Sequence, residues 1–195
     1  MNLNSLKEKK KGKLFILSAP AGAGKTTLVK MVTKELSTTI SSISYTTRAP
    51  RPGEINGKDY YFVSKQEFER QIQLADFLEH VKLFNHYYGT SKKWVNHHLD
   101  SGKSVILVID TQGFFQLKEK IETISIFILP PSLQELRRRL ETRGTEKPEM
   151  IEMRLTEAKK ELLLASHYDY QIINERIEEA YLALKKIILT SLCKE

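Results

Sequence analysis

Apolar runs and amphipathic stretches alternate along the chain. Leu14 to Ser18, Ser104 to Ile109, Ser125 to Leu129 and Gln171 to Ile173 are short apolar runs, the pattern of strands buried on both faces. The segments between them carry apolar residues at helical intervals, as at Leu28, Val32 and Leu36. This alternation predicts an α/β fold with a mainly parallel central sheet, whose ligands lie beyond the carboxyl ends of the strands. Neither an internal repeat nor a low-complexity linker interrupts it, so the chain reads as one continuous fold.

Boundary signals agree with that pattern. Ser64 with Glu67, and Ser132 with Glu135, have the spacing of capping boxes. Gly102 is placed to end the helix that carries Trp94 and Leu99. Pro148 suits the first turn of a helix running through Ile151, Leu155 and Leu162. Between Ser44 and Phe62 the helical pattern gives way to Arg, Pro, Gly and Tyr, which predicts an insertion of loop and short strand.

The first apolar run leads into Ser18-Ala19-Pro20-Ala21-Gly22-Ala23-Gly24-Lys25-Thr26-Thr27 and then the Leu28 helix. A strand, a Gly-rich loop, Lys-Thr and a helix are the layout of a phosphate-binding loop. Backbone N–H groups of the loop and first helical turn point at phosphate, the lysine reaches the β- and γ-phosphates, and the threonine hydroxyl holds Mg²⁺. Ala19 to Thr27 are therefore the candidate ATP-binding residues, with Thr26 on the metal. The glycines alone would also suit a flexible turn; the flanking strand and helix favour phosphate. Ala19 stands where the motif has its first glycine, so that position must accept a Cβ.

Composition narrows the class. With 195 residues, 41% apolar and 28% charged, the chain suits one soluble globular domain. Its net charge of +7 fits either nucleic acid or small polyanions, but Lys7, Lys9, Lys10, Lys11 and Lys13 account for much of it and read as a frayed leader. One cysteine, Cys193, excludes an intrachain disulfide and a Cys-rich zinc site. No apolar run reaches transmembrane length, and Leu3 to Leu6 is too short for a signal-peptide core, so the expected compartment is the cytoplasm.

A second constellation lies in the insertion, Ser44-Tyr45-Thr46-Thr47-Arg48-Ala49-Pro50-Arg51-Pro52-Gly53, ending at Tyr60-Tyr61-Phe62. Arg48 and Arg51, on a stretch stiffened by two prolines, can turn both guanidinium forks to one phosphate, and the hydroxyls of Tyr60 and Tyr88 can complete a cage. Loop arginines are more often solvated charge; the density of aromatics and turn residues here argues otherwise. His97 and His98 point about 100° apart on a helix and read as solvent-facing rather than as metal ligands. Trp94 and Phe84 read as packing residues, and Arg137 to Arg139 mainly as solvated helix charge.

From Ser18 to about Leu184 the chain resembles the guanylate kinases, P-loop nucleoside monophosphate kinases, most specifically in Thr46-Thr47-Arg48 to Tyr60-Tyr61-Phe62. The resemblance implies a three-layer P-loop fold with a core (12–43, 98–134, 158–195), a GMP-binding insertion (44–97) and a mobile lid (135–157). It implies transfer of the γ-phosphoryl group of ATP to GMP, and to dGMP, with Mg²⁺, in a monomer or homodimer without nucleic-acid or membrane partners. Residue by residue, Ser44, Glu79, Thr90 and Asp110 would meet the guanine, and Arg48, Arg51, Tyr60 and Tyr88 the GMP phosphate. Lys25, Arg51 and the lid arginines Arg143 and Arg154 would be catalytic, and Asn174 would lie near the adenine.

Physical chemistry suits those roles. Guanine offers N1–H and N2–H₂ as donors, so a carboxylate can accept two hydrogen bonds, whereas adenine would present its N1 lone pair to the same group. A site of buried polar groups rejects a ligand that leaves them unpaired, by a factor of up to ~10⁴. Outside the resemblance, Glu79 reads only as a helix-end charge. The attacking phosphate is already anionic near neutral pH, so no general base is required, and catalysis rests on positioning and on charge neutralisation.

One departure stands out. Val108 occupies the position, two before Asp110, where these kinases usually carry an acid that helps organise water around Mg²⁺. Three rivals remain. A guanylate-kinase-like interaction module would have a degraded P-loop and lid, and a kinase with a sugar bisphosphate acceptor would lack Glu79 and Thr46-Thr47-Arg48; both features are intact. A nucleic-acid binder rests on net charge alone.

Overall fold

The structure is a computed structural model that describes residues 10–142 and 147–193. In chain order these form β1 (Leu14–Ser18), α1 (Lys25–Glu35), β2 (Thr39–Ser41), β3 (Tyr45–Thr46), β4 (Tyr61–Phe62), α2 (Lys65–Gln73), β5 (Phe77–Leu83), β6 (His86–Ser91), α3 (Lys92–Asp100), β7 (Ser104–Val108), α4 (Thr111–Leu117), β8 (Ile124–Leu129), α5 (Leu133–Thr142), α6 (Pro148–Leu163), a 3-10 turn (Ala165–His167), β9 (Tyr170–Ile173) and α7 (Ile177–Cys193).

The four apolar runs of the sequence become β1, β7, β8 and β9 and, with β2, which the pattern did not mark, form a five-stranded sheet in the order β2-β7-β1-β8-β9, with every pairing parallel. The Gln171–Ile173 run is not buried on both faces as expected: β9 is an edge strand in which Ile172 alone is buried. Parallel strands need covered faces, and β1 shows why its run is apolar throughout. Phe15 and Leu17 face α1 and α7 with Leu28, Val32, Leu184 and Ile188, while Leu14 and Ile16 face the opposite layer with Val95, Leu99, Phe114 and Leu117. Three layers result, with β1 at the centre and its carboxyl end at the phosphate loop. A separate small core, Leu136, Leu140, Ile151, Leu155 and Ala158, joins α5 to α6. Among the described residues no helix is long and apolar enough to cross a membrane.

The helix signals are met, with one difference. Ser64 and Ser132 accept hydrogen bonds from the Glu67 and Glu135 backbone N–H groups at 3.1 and 3.0 Å. The return half of each capping box is not made. Glu67 instead accepts from Arg70 and Gln71, and Glu135 from Arg138 and Arg139, because charge-assisted pairs on the exposed face outcompete the backbone. After α3, Gly102 adopts φ 84° and its N–H bonds to Leu99 O while Lys103 N–H bonds to His98 O, the paired closure of a glycine-terminated helix. Pro148 is the first residue of α6.

The insertion builds more structure than its sequence pattern suggests. A second, four-stranded sheet in the order β4-β3-β6-β5 stands beside the first. Its β5–β6 hairpin turns at Phe84 and Asn85, both at positive φ (47° and 67°), the pair of left-handed residues that matches the twist of the strands. Phe84 is thus not the packing residue expected: it is 45% exposed and lines the cleft described below. Glu79 is likewise not at a helix end but within β5. His98 also departs from expectation, since its ring lies half-buried 4.2 Å from that of Trp94.

Candidate active site

The phosphate loop is shaped by glycine at its last turn. Gly24 precedes α1 with φ 97° and has no side-chain cap, so the first N–H groups of α1 stay available to a ligand. A Cβ on Gly24 would also collide with Asn174 Nδ2. Asn174, 3% exposed, donates from that Nδ2 to Ala23 O at 2.8 Å and so pins the loop to the end of β9. Ala19 accepts its Cβ by burying it in the core, at 2% exposure. The Lys25 ammonium donates to the carbonyl of Ala19 and approaches that of Pro20 at 3.4 Å.

Across the cleft the decisive groups are carboxylates. Glu79 is 3% exposed and accepts a 2.6 Å hydrogen bond from the Thr90 hydroxyl on the adjacent strand. Burial, reinforced by the Asp110 charge and opposed by Thr90, pushes its carboxyl up to about 7. Asp110 caps α4 by accepting from Gly113 N–H at 2.9 Å; burial raises its pKa, against the pull of that hydrogen bond and of Lys25. The two acids approach because position 113 has no side chain: a Cβ there would stand 2.7 Å from Glu79 Oε2. Gln116 completes the join, donating to His80 O at 2.7 Å and accepting from His80 N–H at 3.2 Å, which fastens edge strand β5 to α4.

The arginine loop is organised by a residue that the sequence did not single out. Glu54 pairs with Arg48 at 2.9 Å and accepts from Arg51 N–H at 2.7 Å, folding the Pro-rich turn around one carboxylate. Burial tends to raise the Glu54 pKa, but the Arg48 and Arg51 contacts outweigh it and leave it lowered. The Arg48 guanidinium sits 5.3 Å from the Tyr60 ring centre, and the Tyr60 and Tyr88 rings meet edge to face at 6.1 Å. Glu54 could have been found as the one acid among the prolines and arginines. Gly113 and Gln116 carried no such signal, because their roles depend on which strand passes beside them.

One cleft brings the two sides together. From the phosphate side it is lined by Ala19, Ala21, Lys25 and Thr26, and from the insertion by Ser44, Arg48, Arg51, Tyr60, Glu79 and Tyr88. Asp110, Val108 and the α6 residues Arg154, Glu157 and Glu161 close it. Thr90 stands behind Glu79 rather than on the wall. Gly22, Gly24, Thr27 and Asn174 line a second depression on the other flank of the loop, with Arg138, Arg139 and Glu175. Pro20 and Ala23 line neither, and Arg143 lies outside the described residues.

The likenesses to known proteins agree with this arrangement. The Guanylate kinase family profile matches residues 11–191. A guanylate kinase of Protochlamydia amoebophila is 59% identical over 180 residues, which is 92% of this chain and 91% of that one. Another, from Dechloromonas aromatica, is 46% identical over 92% of this chain and 90% of its own. The crystal structure of guanylate kinase from Anaplasma phagocytophilum superposes with a TM-score of 0.80 at 37% identity, covering 95% of this chain and 89% of that one. A nucleotide-kinase cleft on a P-loop core, together with a family match over nearly the whole length, means that the chain belongs to the guanylate kinase family of enzymes.

Proposed function

We propose that the protein transfers the γ-phosphoryl group of ATP to GMP and dGMP, giving ADP and the corresponding diphosphate. The observation that carries this reading is buried Glu79, held by Thr90 from behind and set beside the half-buried Asp110, with both acids opening on the same cleft as Lys25. A carboxyl held near 7 by burial gains most from a ligand that brings two N–H donors, and guanine N1–H and N2–H₂ supply them. Adenine would leave that buried pair unmatched.

Arg48, Arg51, Tyr60 and Tyr88 hold the acceptor phosphate, and the prior pairing of Arg48 with Glu54 sets its fork before substrate arrives. Lys25 leaves the loop carbonyls for the donor phosphates, while Arg51, Arg143 and Arg154 add positive charge around the transferring group. Asn174 and the depression beside it lie on the donor's base side. For Mg²⁺, the Thr26 hydroxyl is a hard oxygen donor exposed at the start of α1 beside Lys25, and an ion that arrives with polyphosphate needs few protein ligands. When bound, the ion supplies charge neutralisation at the phosphate oxygens. The region from 44 to 97 and the lid from 135 to 157 are read as closing on the core to exclude water. The reaction is assigned to the cytoplasm, without nucleic-acid or membrane partners and in a monomer or homodimer.

ADP release from ATP and Mg²⁺, followed with GMP, dGMP, AMP, CMP and UMP in parallel, tests the reading. Turnover confined to GMP and dGMP is expected. Comparable turnover with AMP would overturn the acceptor assignment, and no turnover with any acceptor would favour an interaction module.

A further inference from the structure

The free edge of β5 is held by a side chain that no step of the proposed reaction employs. β5 ends the second sheet, so one row of its main-chain groups has no strand beside it. At His80 the Gln116 amide stands in for that strand, Nε2 donating to His80 O at 2.7 Å and Oε1 accepting from His80 N–H at 3.2 Å. One planar amide thus meets both main-chain groups of the residue that follows Glu79. Gln116 belongs to α4, whose Phe114 and Leu117 are buried in the core with Leu14 and Ile16 of β1. The grip therefore ties a strand of the second sheet to a helix fixed on the first.

Asp110, Gly113 and Gln116 follow one another at intervals of three, which sets them along one side of α4. Each serves the same corner. Asp110 caps the helix and lines the cleft, Gly113 leaves the space where a Cβ would stand 2.7 Å from Glu79 Oε2, and Gln116 takes the main chain next door. β5 needs such a guide, because its pairing with β6 is irregular between Phe77 and Glu79, just before the acid. A slip of one residue turns every side chain of a strand to the opposite face.

We infer that Gln116 is a positioning residue for acceptor recognition: by gripping His80 from α4 it fixes the register and depth of β5 that set the Glu79 carboxylate beside Asp110 in the cleft. This rests on the kinase reading given above, in which Glu79 meets the guanine. Thr90 orients the carboxylate within the hairpin, and Gln116 places the hairpin against α4. Satisfying the main chain does not by itself call for glutamine, since His80 and Gln116 are both half-buried and water can serve the same N–H and C=O. Water supplies no fixed distance to α4, and misplacing a binding group by about 1 Å can cost ~10²-fold.

The experiment compares wild type, Q116M, E79Q and the double variant by steady-state kinetics, with thermal melting to show that each is folded at the assay temperature. Methionine matches glutamine in length and lacks the amide. Expected for Q116M is a rise in KM for GMP of ~10-fold, with kcat and KM for ATP each within about twofold. In the E79Q background the same change should shift KM for GMP by no more than about twofold, because the group it positions no longer recognises the base. Wild-type KM for GMP in Q116M overturns the inference, and so does a rise shared equally by KM for ATP, or effects that multiply in full in the double variant. Should Q116M melt below the assay temperature, Q116E, which keeps an acceptor for His80 N–H, takes its place: KM for GMP raised about threefold is then expected, and an unchanged KM overturns the inference. A wild type that turns over no GMP removes the kinase reading itself, whereas an active wild type beside an unaffected Q116M defeats the inference alone.

Discussion

Between Ser18 and Lys25 the phosphate side of the cleft is made within one strand–loop–helix step, whereas the opposite wall needs Glu79 from β5, Thr90 from β6, Asp110 from the end of β7 and Gly113 from α4 to meet. The first side offers backbone N–H groups, left uncapped by Gly24, with Lys25 as its charged side chain. Ala19 is tolerated because its Cβ points into the core instead of into the phosphate space. The second side is built from side chains, and under the proposed function their charge and donor pattern meet a base, so one atom exchanged there should alter specificity. Backbone sites thus bind a common group, phosphate, while side-chain sites discriminate among ligands.

Lys25→Met is expected to have the largest effect, since the proposed mechanism asks the Lys25 ammonium to neutralise charge on the transferring group. Removing a charge from a closed, low-dielectric site should lower kcat by ~10³-fold with little change in KM for GMP. Near-normal kcat would erase the contrast by showing that backbone alone carries the phosphate chemistry.

On the other wall, Glu79→Gln should reduce kcat/KM for GMP by ~10²-fold, or about 3 kcal/mol, and narrow the gap between GMP and AMP, because a donor now faces a guanine donor. The same substitution should help the fold. Folded Glu79 keeps its proton to about pH 7, while an unfolded carboxyl loses it near 4.5, so the folded state binds the extra proton between those values and stability falls as pH rises through them. E79Q removes that contribution and should melt a few degrees higher than wild type at pH 8, a gain of ~2 kcal/mol. Equal melting curves across pH 5 to 8 would mean that Glu79 is not buried as described.

The two glycines sharpen the comparison. Gly113→Ala should displace the Glu79 carboxylate and cost roughly tenfold in kcat/KM for GMP while leaving KM for ATP in place. Gly24→Ala, strained at φ 97° and colliding with Asn174, should do the reverse and raise KM for ATP first. Equal effects of both on both substrates would show that the two sides are not separable. The smallest change is expected from Val108→Asp. Val108 packs against the inner core yet reaches the cleft, so an acid there should lower the Mg²⁺ concentration for half-maximal rate about two- to threefold and the melting temperature by a few degrees. A lower melting temperature without the Mg²⁺ response would mean that this edge of the site is dry.

By itself the sequence determined what is local. The apolar runs of β1, β7, β8 and β9, the caps at Ser64 and Ser132, the stop at Gly102 and the phosphate loop each depend on neighbours within a few residues, so pattern and spacing carry them. The resemblance to guanylate kinases supplied Glu79, for which local pattern suggested a helix end. Tertiary structure alone decided that β5 and β6 pair into a hairpin, since β6 is polar and β5 has an irregular register between Phe77 and Glu79. It also decided that Gly113 leaves room for buried Glu79 beside Asp110, that Gln116 clamps the edge of β5, that Glu54 gathers the arginine loop and that Glu161 lines the same cleft as Lys25. Those roles are properties of pairs distant along the chain, and the free energy that fixes them comes from burial and charge in a shared space that no window of sequence contains.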